Sequence, residues 1–146
     1  MKEEIVYEFL YGEPFSTRDF SAVCRLLKQL SPQMSELTKE RYIESTANGW
    51  VVVARIPNGR IVGLASIIKI TKLTRVAYSI EDVIVDEKYR GHGIGKGITQ
   101  KLIWLAEQTG MERLDLHTSR PIAARLYEKL GFKSRLSATY RLELKQ

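Results

Sequence analysis

The chain has 146 residues, 44% hydrophobic and 27% charged, with one cysteine, two histidines and a net charge of +6. That size and balance fit one globular domain, residues 1–146, able to bury about two-thirds of its unfolded surface. A single cysteine, Cys24, excludes an internal disulfide and a cysteine-rich metal site, and no apolar run reaches the ~18 residues of a membrane helix. The start Met1-Lys2-Glu3-Glu4 is unlike a secretory leader, so a reducing, cytoplasmic setting is expected.

Ile5 to Leu10 reads as a first strand. Ser16-Thr17-Arg18-Asp19 is a capping box that opens a helix through Phe20, Val23, Leu26, Leu27 and Leu30, stopped by Pro32. Leu37 to Thr46 is a second helix, closed by Asn48-Gly49. Trp50 to Ile56 and Ile61 to Ile70 are strands joined by the hairpin turn Pro57-Asn58-Gly59-Arg60. A basic turn, Lys69 to Arg75, leads into a strand over Ala77 to Val85. Ile94, Ile98, Leu102 and Leu105 then mark one face of a helix that Gly110 ends. Arg113 to His117 is a short strand, and Pro121 starts a further helix that stops at Gly131. Phe132 to Leu136 and Thr139 to Leu144 are expected to close the pattern as two strands. The order β-α-α-β-β-β-α-β-α-β-β predicts one α/β sheet of mixed direction.

The chemistry gathers at Tyr89-Arg90-Gly91-His92-Gly93-Ile94-Gly95-Lys96, between the strand ending at Val85 and the following helix. Glycines on alternate positions free several backbone N–H groups to face one anion, and the helix N-terminus adds partial positive charge. Arg90 and Lys96 add full charges. The nucleotide P-loop spacing fails, because Lys96 stands where its second glycine belongs and Gly97 follows instead of a hydroxyl residue. The dinucleotide fingerprint fails for want of its third glycine. Charge agrees with a phosphate-rich ligand: residues 1–87 sum to −1 (11 positive, 12 negative) and residues 88–146 to +7 (12 positive, 5 negative). These basic residues are scattered and form no tract, so no nucleic-acid partner is expected.

What remains, R-G-x-G-x-G, resembles the pyrophosphate loop [Q/R]-x-x-G-x-[G/A] of the GNAT N-acetyltransferase superfamily. One helix and one strand downstream, Ala123-Ala124-Arg125-Leu126-Tyr127-Glu128-Lys129-Leu130-Gly131-Phe132 resembles that family's A-x-x-[LF]-Y-x-[KR]-x-G-F signature. Ile80-Glu81-Asp82-Val83-Ile84-Val85, with Leu26 to Leu30 and Leu37 to Glu40, is nearest in pattern to the glucosamine-6-phosphate N-acetyltransferase-like branch. Arg120 departs from it, standing where the branch often has asparagine.

The resemblance implies the GNAT fold, a mostly antiparallel twisted sheet flanked by about four helices. It also implies acetyl-CoA as the cofactor, a small-molecule amine such as an amino sugar as acceptor, and a homodimer. The cofactor-binding residues would be Val83, Ile84, Val85, Arg90, Gly91, His92, Gly93, Ile94, Gly95, Lys96 and Tyr127. The strand would offer its backbone to the pantetheine amides, and an N–H near Asp82-Val83 would meet the thioester carbonyl. Tyr127 is the candidate general acid and Glu81 the candidate base, with His117 a weaker alternative. Strict alternation puts Glu81 on the face of Val83 and Asp82 on the other. Lys69, Lys72, Arg75, Arg120 and Arg141 are the cations available for an acceptor phosphate, with nothing that points them at one site. A protein or peptide N-acetyltransferase and a non-catalytic acyl-CoA-binding module remain the alternatives.

Overall fold

An antiparallel sheet in the order β1-β2-β3-β4 organises the computed structural model, which describes residues 4–10 and 16–144. The strands are β1 Val6–Leu10, β2 Gly49–Arg55, β3 Ile61–Thr71 and β4 Val76–Val85. Helices α1 Thr17–Leu30 and α2 Lys39–Thr46 connect β1 to β2, whereas α3 Ile94–Thr109 and α4 Pro121–Lys129 follow β4.

Each face of the sheet is covered because alternate strand residues are apolar on both sides. Val51, Val53, Leu64 and Ile84 pack with Val23 and Leu26 of α1 and Tyr42 of α2. Val52, Ala65, Ile67 and Ile80 pack with Ile98 and Leu102 of α3. Leu26, Ile98 and Leu102 are wholly inaccessible to solvent, each burial contributing about 2 kcal/mol. Helix α3 lies close enough to β1 that a Cβ on Gly97 would fall 2.1 Å from the Tyr7 ring, so a side chain there is excluded.

Local signals set the helix starts. Ser16 Oγ accepts the Asp19 N–H at 3.1 Å, as the capping box predicts. Thr38 Oγ1 accepts the Arg41 N–H at 3.1 Å, so α2 begins at Lys39 and not at Leu37, because the hydroxyl makes Thr38 the cap. Asp19 and Arg55 meet through two hydrogen bonds of 2.8 Å, while Glu8 also receives Arg55 Nε. This ties the first turn of α1 to β2 and β1.

Three expected strands are absent. Arg113 to His117 makes only one parallel bridge, between Ser79 and Asp115, with Ile80 N–H donating to Asp115 O at 2.8 Å and Asp115 N–H to Tyr78 O at 3.0 Å. Phe132 to Leu136 and Thr139 to Leu144 form no strand, and Leu136, Tyr140, Leu142 and Leu144 stand open to solvent. A strand pattern supplies a face to bury but no partner to pair with, and within this single chain nothing pairs this segment among the described residues. The sheet is therefore antiparallel apart from the Ser79–Asp115 bridge. Among the described residues no helix is long and apolar enough to cross a membrane.

Candidate active site

The glycine loop follows a short 3-10 turn at Glu87–Tyr89 and forms a candidate anion cradle where α3 begins. Gly91 (φ 83°) and Gly93 (φ 79°) both take left-handed backbone, which a side chain would strain. Gly93 caps α3 and carries no side-chain hydrogen bond, so the cap residue leaves the helix's first N–H groups to an anion. Val85, Tyr89, Arg90, Gly91, Gly93, Ile94, Gly95, Lys96 and Leu126 surround a cavity of about 310 Å³. A Cβ on Gly95 would project between Val85 Cγ2 and Leu126 Cδ2, at 3.8 and 3.9 Å, and fill space a ligand could use.

His92 and Arg90 play parts the sequence does not reveal. His92 Nδ1 lies 3.1 Å from Tyr89 O and 3.0 Å from Arg90 O, so the ring staples the loop's own carbonyls. Arg90 Nε donates to Val85 O at 3.0 Å, which locks the loop to the end of β4. Behind that junction, Asp86 is buried and takes hydrogen bonds from Arg25 Nη1 at 3.3 Å and the Lys88 N–H at 3.1 Å. The start of the loop is thus held to α1 by charge-assisted bonds.

Strand β4 is bulged where the candidate chemistry lies. Leu64 faces Ile84 and Ser66 faces Glu81, so Asp82 and Val83 together oppose Ala65. Asp82 takes φ 52°, a left-handed conformation unusual for a non-glycine residue and concentrated at functional sites. The extra residue reverses the alternation. Ile80 before the bulge and Val83 and Val85 after it all pack on the α3 side, whereas Ile84 is buried against α1. Glu81 lies opposite Ser66, across the sheet from Val83, which corrects the expectation that Glu81 and Val83 share a face.

Asp82 joins Glu81 on that side. Crowding by protein atoms and the neighbouring Glu81 carboxylate raise the Asp82 pKa, while the Ser66 hydroxyl and the Arg41 charge from α2 oppose the rise. Asp82 is therefore one of a pair of adjoining carboxylates, and not a residue of the opposite face as alternation predicts. Ile84 can offer a ligand only its backbone, since its side chain is in the core.

Beyond the Ser79–Asp115 bridge, Glu81–Val85 pairs with β3 alone among the described residues, which leaves the other edge of β4 open. An open strand edge can take up an extended, amide-bearing ligand. Tyr127 is buried in α4, edge-on to Phe132 with ring centroids 5.8 Å apart, and burial raises its pKa. It lines a larger cavity of about 1100 Å³ together with Asp115, His117, Lys72 and Arg75. Its neighbour Leu126 reaches the smaller cavity, so α4 faces both. Arg120 sits at the N-cap of α4 without a side-chain cap bond.

The sequence model of the acetyltransferase (GNAT) family matches residues 15–132. The chain belongs to the GNAT family. Glucosamine 6-phosphate N-acetyltransferase of Trypanosoma brucei brucei is 41% identical over 81 residues, which is 53% of this chain and 54% of that protein. N-alpha-acetyltransferase RimI of Mycobacterium tuberculosis is 31% identical over 75 residues, 51% of this chain and 47% of that one. The chain spans about half the length of the curated relatives it matches. Among solved structures, an acetyltransferase of Trypanosoma brucei gives a TM-score of 0.77 at 30% identity, covering 97% of this chain and 100% of the other. The glucosamine-6-phosphate N-acetyltransferase of Arabidopsis thaliana gives 0.78 at 22% identity, over 96% and 99% of the two chains, a likeness of fold.

For this GNAT chain, sequence reasoning missed Leu126 of the cradle and the pairing of Asp82 with Glu81. Leu126 adjoins the signature tyrosine, and that adjacency was the available signal. No signal in Ile80-Glu81-Asp82-Val83 reveals a bulge, because alternation assumes an unbroken ladder.

Proposed function

We propose that this GNAT protein moves an acetyl group from acetyl-CoA to the primary amine of a small molecule, an amino sugar or a close analogue. The observation that carries the reading is the cradle: Gly91 and Gly93 in left-handed backbone at an uncapped helix start, beside an open strand edge. N–H groups from Gly91 to Lys96 and the Lys96 ammonium would hold the CoA diphosphate, with Val83–Val85 offering backbone to the pantetheine arm. Bound acetyl-CoA supplies an activated acetyl thioester. Glu81 receives the proton the amine sheds, and Tyr127 Oη donates a proton to the departing sulfur. A backbone N–H of the bulge stabilises the charge that develops on the carbonyl oxygen. The amino-sugar acceptor draws its support from the Trypanosoma relative.

We propose a homodimer as well. Tyr140, Leu142 and Leu144 alternate along the C-terminal segment at 92%, 82% and 78% exposure, a strand's apolar face with no cover in its own chain among the described residues.

The test is CoA release over a panel of amino sugars, polyamines, aminoglycosides and peptides, with acetyl-CoA binding measured in parallel. Turnover with an amino sugar and loss of acetyl-CoA binding in Gly93→Val, with the fold intact, are expected. Tight binding with no turnover on any amine would reduce the protein to a binding module. Turnover confined to peptides would replace the acceptor class.

A further inference from the structure

Two of the few buried polar side chains outside the cradle lie directly under the bulge. Ser66 in β3 is 8% exposed and Ser79 in β4 is 7% exposed. Buried hydroxyls carry a desolvation cost unless they are hydrogen-bonded, and both of these bond to the same residue. Ser79 Oγ donates to Glu81 Oε1 at 2.8 Å, and Ser66 Oγ donates to the Glu81 backbone carbonyl at 3.2 Å. Glu81 is therefore held at both ends, its main chain across the sheet and its carboxylate along its own strand.

The arrangement is specific to this register. Ser79 and Glu81 are two apart on an unbulged stretch, so their side chains rise on one face. Immediately afterwards the bulge turns the chain, and Asp82 adds a second negative charge beside the first. Left to itself, a long carboxylate side chain next to another carboxylate would swing away into solvent. The Ser79 hydroxyl opposes that swing with a bond to a charged acceptor, stronger than a neutral one.

We propose that Ser79 is a positioning residue: its buried hydroxyl fixes the Glu81 carboxylate in the orientation that receives the amine's proton. The inference rests on the reading of Glu81 as proton acceptor given above. Ser79 touches no substrate. It acts through Glu81, leaving Glu81 Oε2 free for the incoming amine or an intervening water.

Ser79→Ala should lower kcat roughly tenfold with the KM for acetyl-CoA unchanged, because the cradle is untouched. Ser79→Thr, which keeps a hydroxyl, should recover most of that loss. In a Glu81→Gln background, Ser79→Ala should add little, since the two residues act as one unit. A second readout needs no turnover: the side-chain order of Glu81 measured by 13C relaxation. Lower order in Ser79→Ala, restored in Ser79→Thr, is expected, because the Ser79 Oγ bond to Oε1 is what holds the carboxylate. An unchanged order, or losses in the double variant that simply multiply, would overturn the positioning role. Lost order in a protein that acetylates no amine would instead keep the clamp and discard the acetyl-transfer reading on which its purpose rests.

Discussion

A phenol and a thiol differ little in acidity, which is what makes Tyr127 a workable proton donor to sulfur. Its burial in α4 against Phe132 raises its pKa above the ordinary value, so the proton stays on Oη through neutral and mildly alkaline pH. The same shift makes the phenol a weaker acid, so its transfer depends on close placement and not on driving force. Tyr127→Phe keeps the ring and its edge contact while deleting the one exchangeable proton. We expect kcat to fall roughly 10²-fold, with acetyl-CoA affinity and unfolding midpoint nearly unchanged. Any alkaline limb of the wild-type kcat profile owed to Tyr127 should lie above the ordinary tyrosine range and vanish in the variant. An unchanged kcat would leave Tyr127 as packing alone. The contrast with His92 is instructive, because both residues sit in motif positions. His92 spends its Nδ1 on loop carbonyls, and its part is to shape the cradle.

At the scale of elements, the ion-pair network of Asp19, Arg55 and Glu8 joins α1 to two strands. Arg55 lowers the Asp19 pKa chiefly by hydrogen bonding, against an opposing effect of burial. A carboxyl depressed in the folded state stabilises the protein fully above the unfolded value of ~3.9, and loses that effect as pH falls through the folded value. Asp19→Asn should therefore cost about 2 kcal/mol at neutral pH by urea denaturation, with the gap closing below about pH 4. A gap that stays constant to strongly acidic pH would show that the charge is not the cause. Asp19 also takes part in the capping box with Ser16, so the start of α1 is written locally in Ser16 to Asp19, as the hairpin is in Pro57 to Arg60. The cradle is equally local, since Gly91 and Gly93 act through their own backbone. The bulge at Asp82 was hidden because it arises from pairing between β3 and β4, and it carried the faces of Glu81 and Asp82 with it. The absent strands at Arg113 to His117 and after Gly131 fail for the complementary reason. Their side-chain pattern is sound, but a strand exists only where another backbone meets it.

For the whole molecule, that last point becomes a statement about copies of the chain. Thr139–Leu144 presents Tyr140, Leu142 and Leu144 on one side and Thr139, Arg141 and Glu143 on the other, the alternation of a strand with one buried face. Exposed together, such residues draw association, and the large cavity that residues 133–137 and Thr139 help to line also carries the apolar side chains of Leu114, Leu116 and Phe132. An exchange of this segment between two copies would cover the apolar faces and extend both sheets without altering β1 to β4. Because the cavity is also lined by Tyr127 and His117, a partner's strand placed there would border the candidate general acid and help enclose it. Light scattering coupled to size exclusion should then report a dimer for the wild type. Leu142→Glu with Leu144→Glu should give a folded monomer, because the charges oppose burial while leaving residues 4–132 untouched. Enclosure by the partner further requires that this monomer keep acetyl-CoA binding, which the cradle supplies alone, while the KM for the amine rises. A wild type that stays monomeric at every soluble concentration would refute the exchange. A dimer unaffected by both substitutions would place the interface elsewhere.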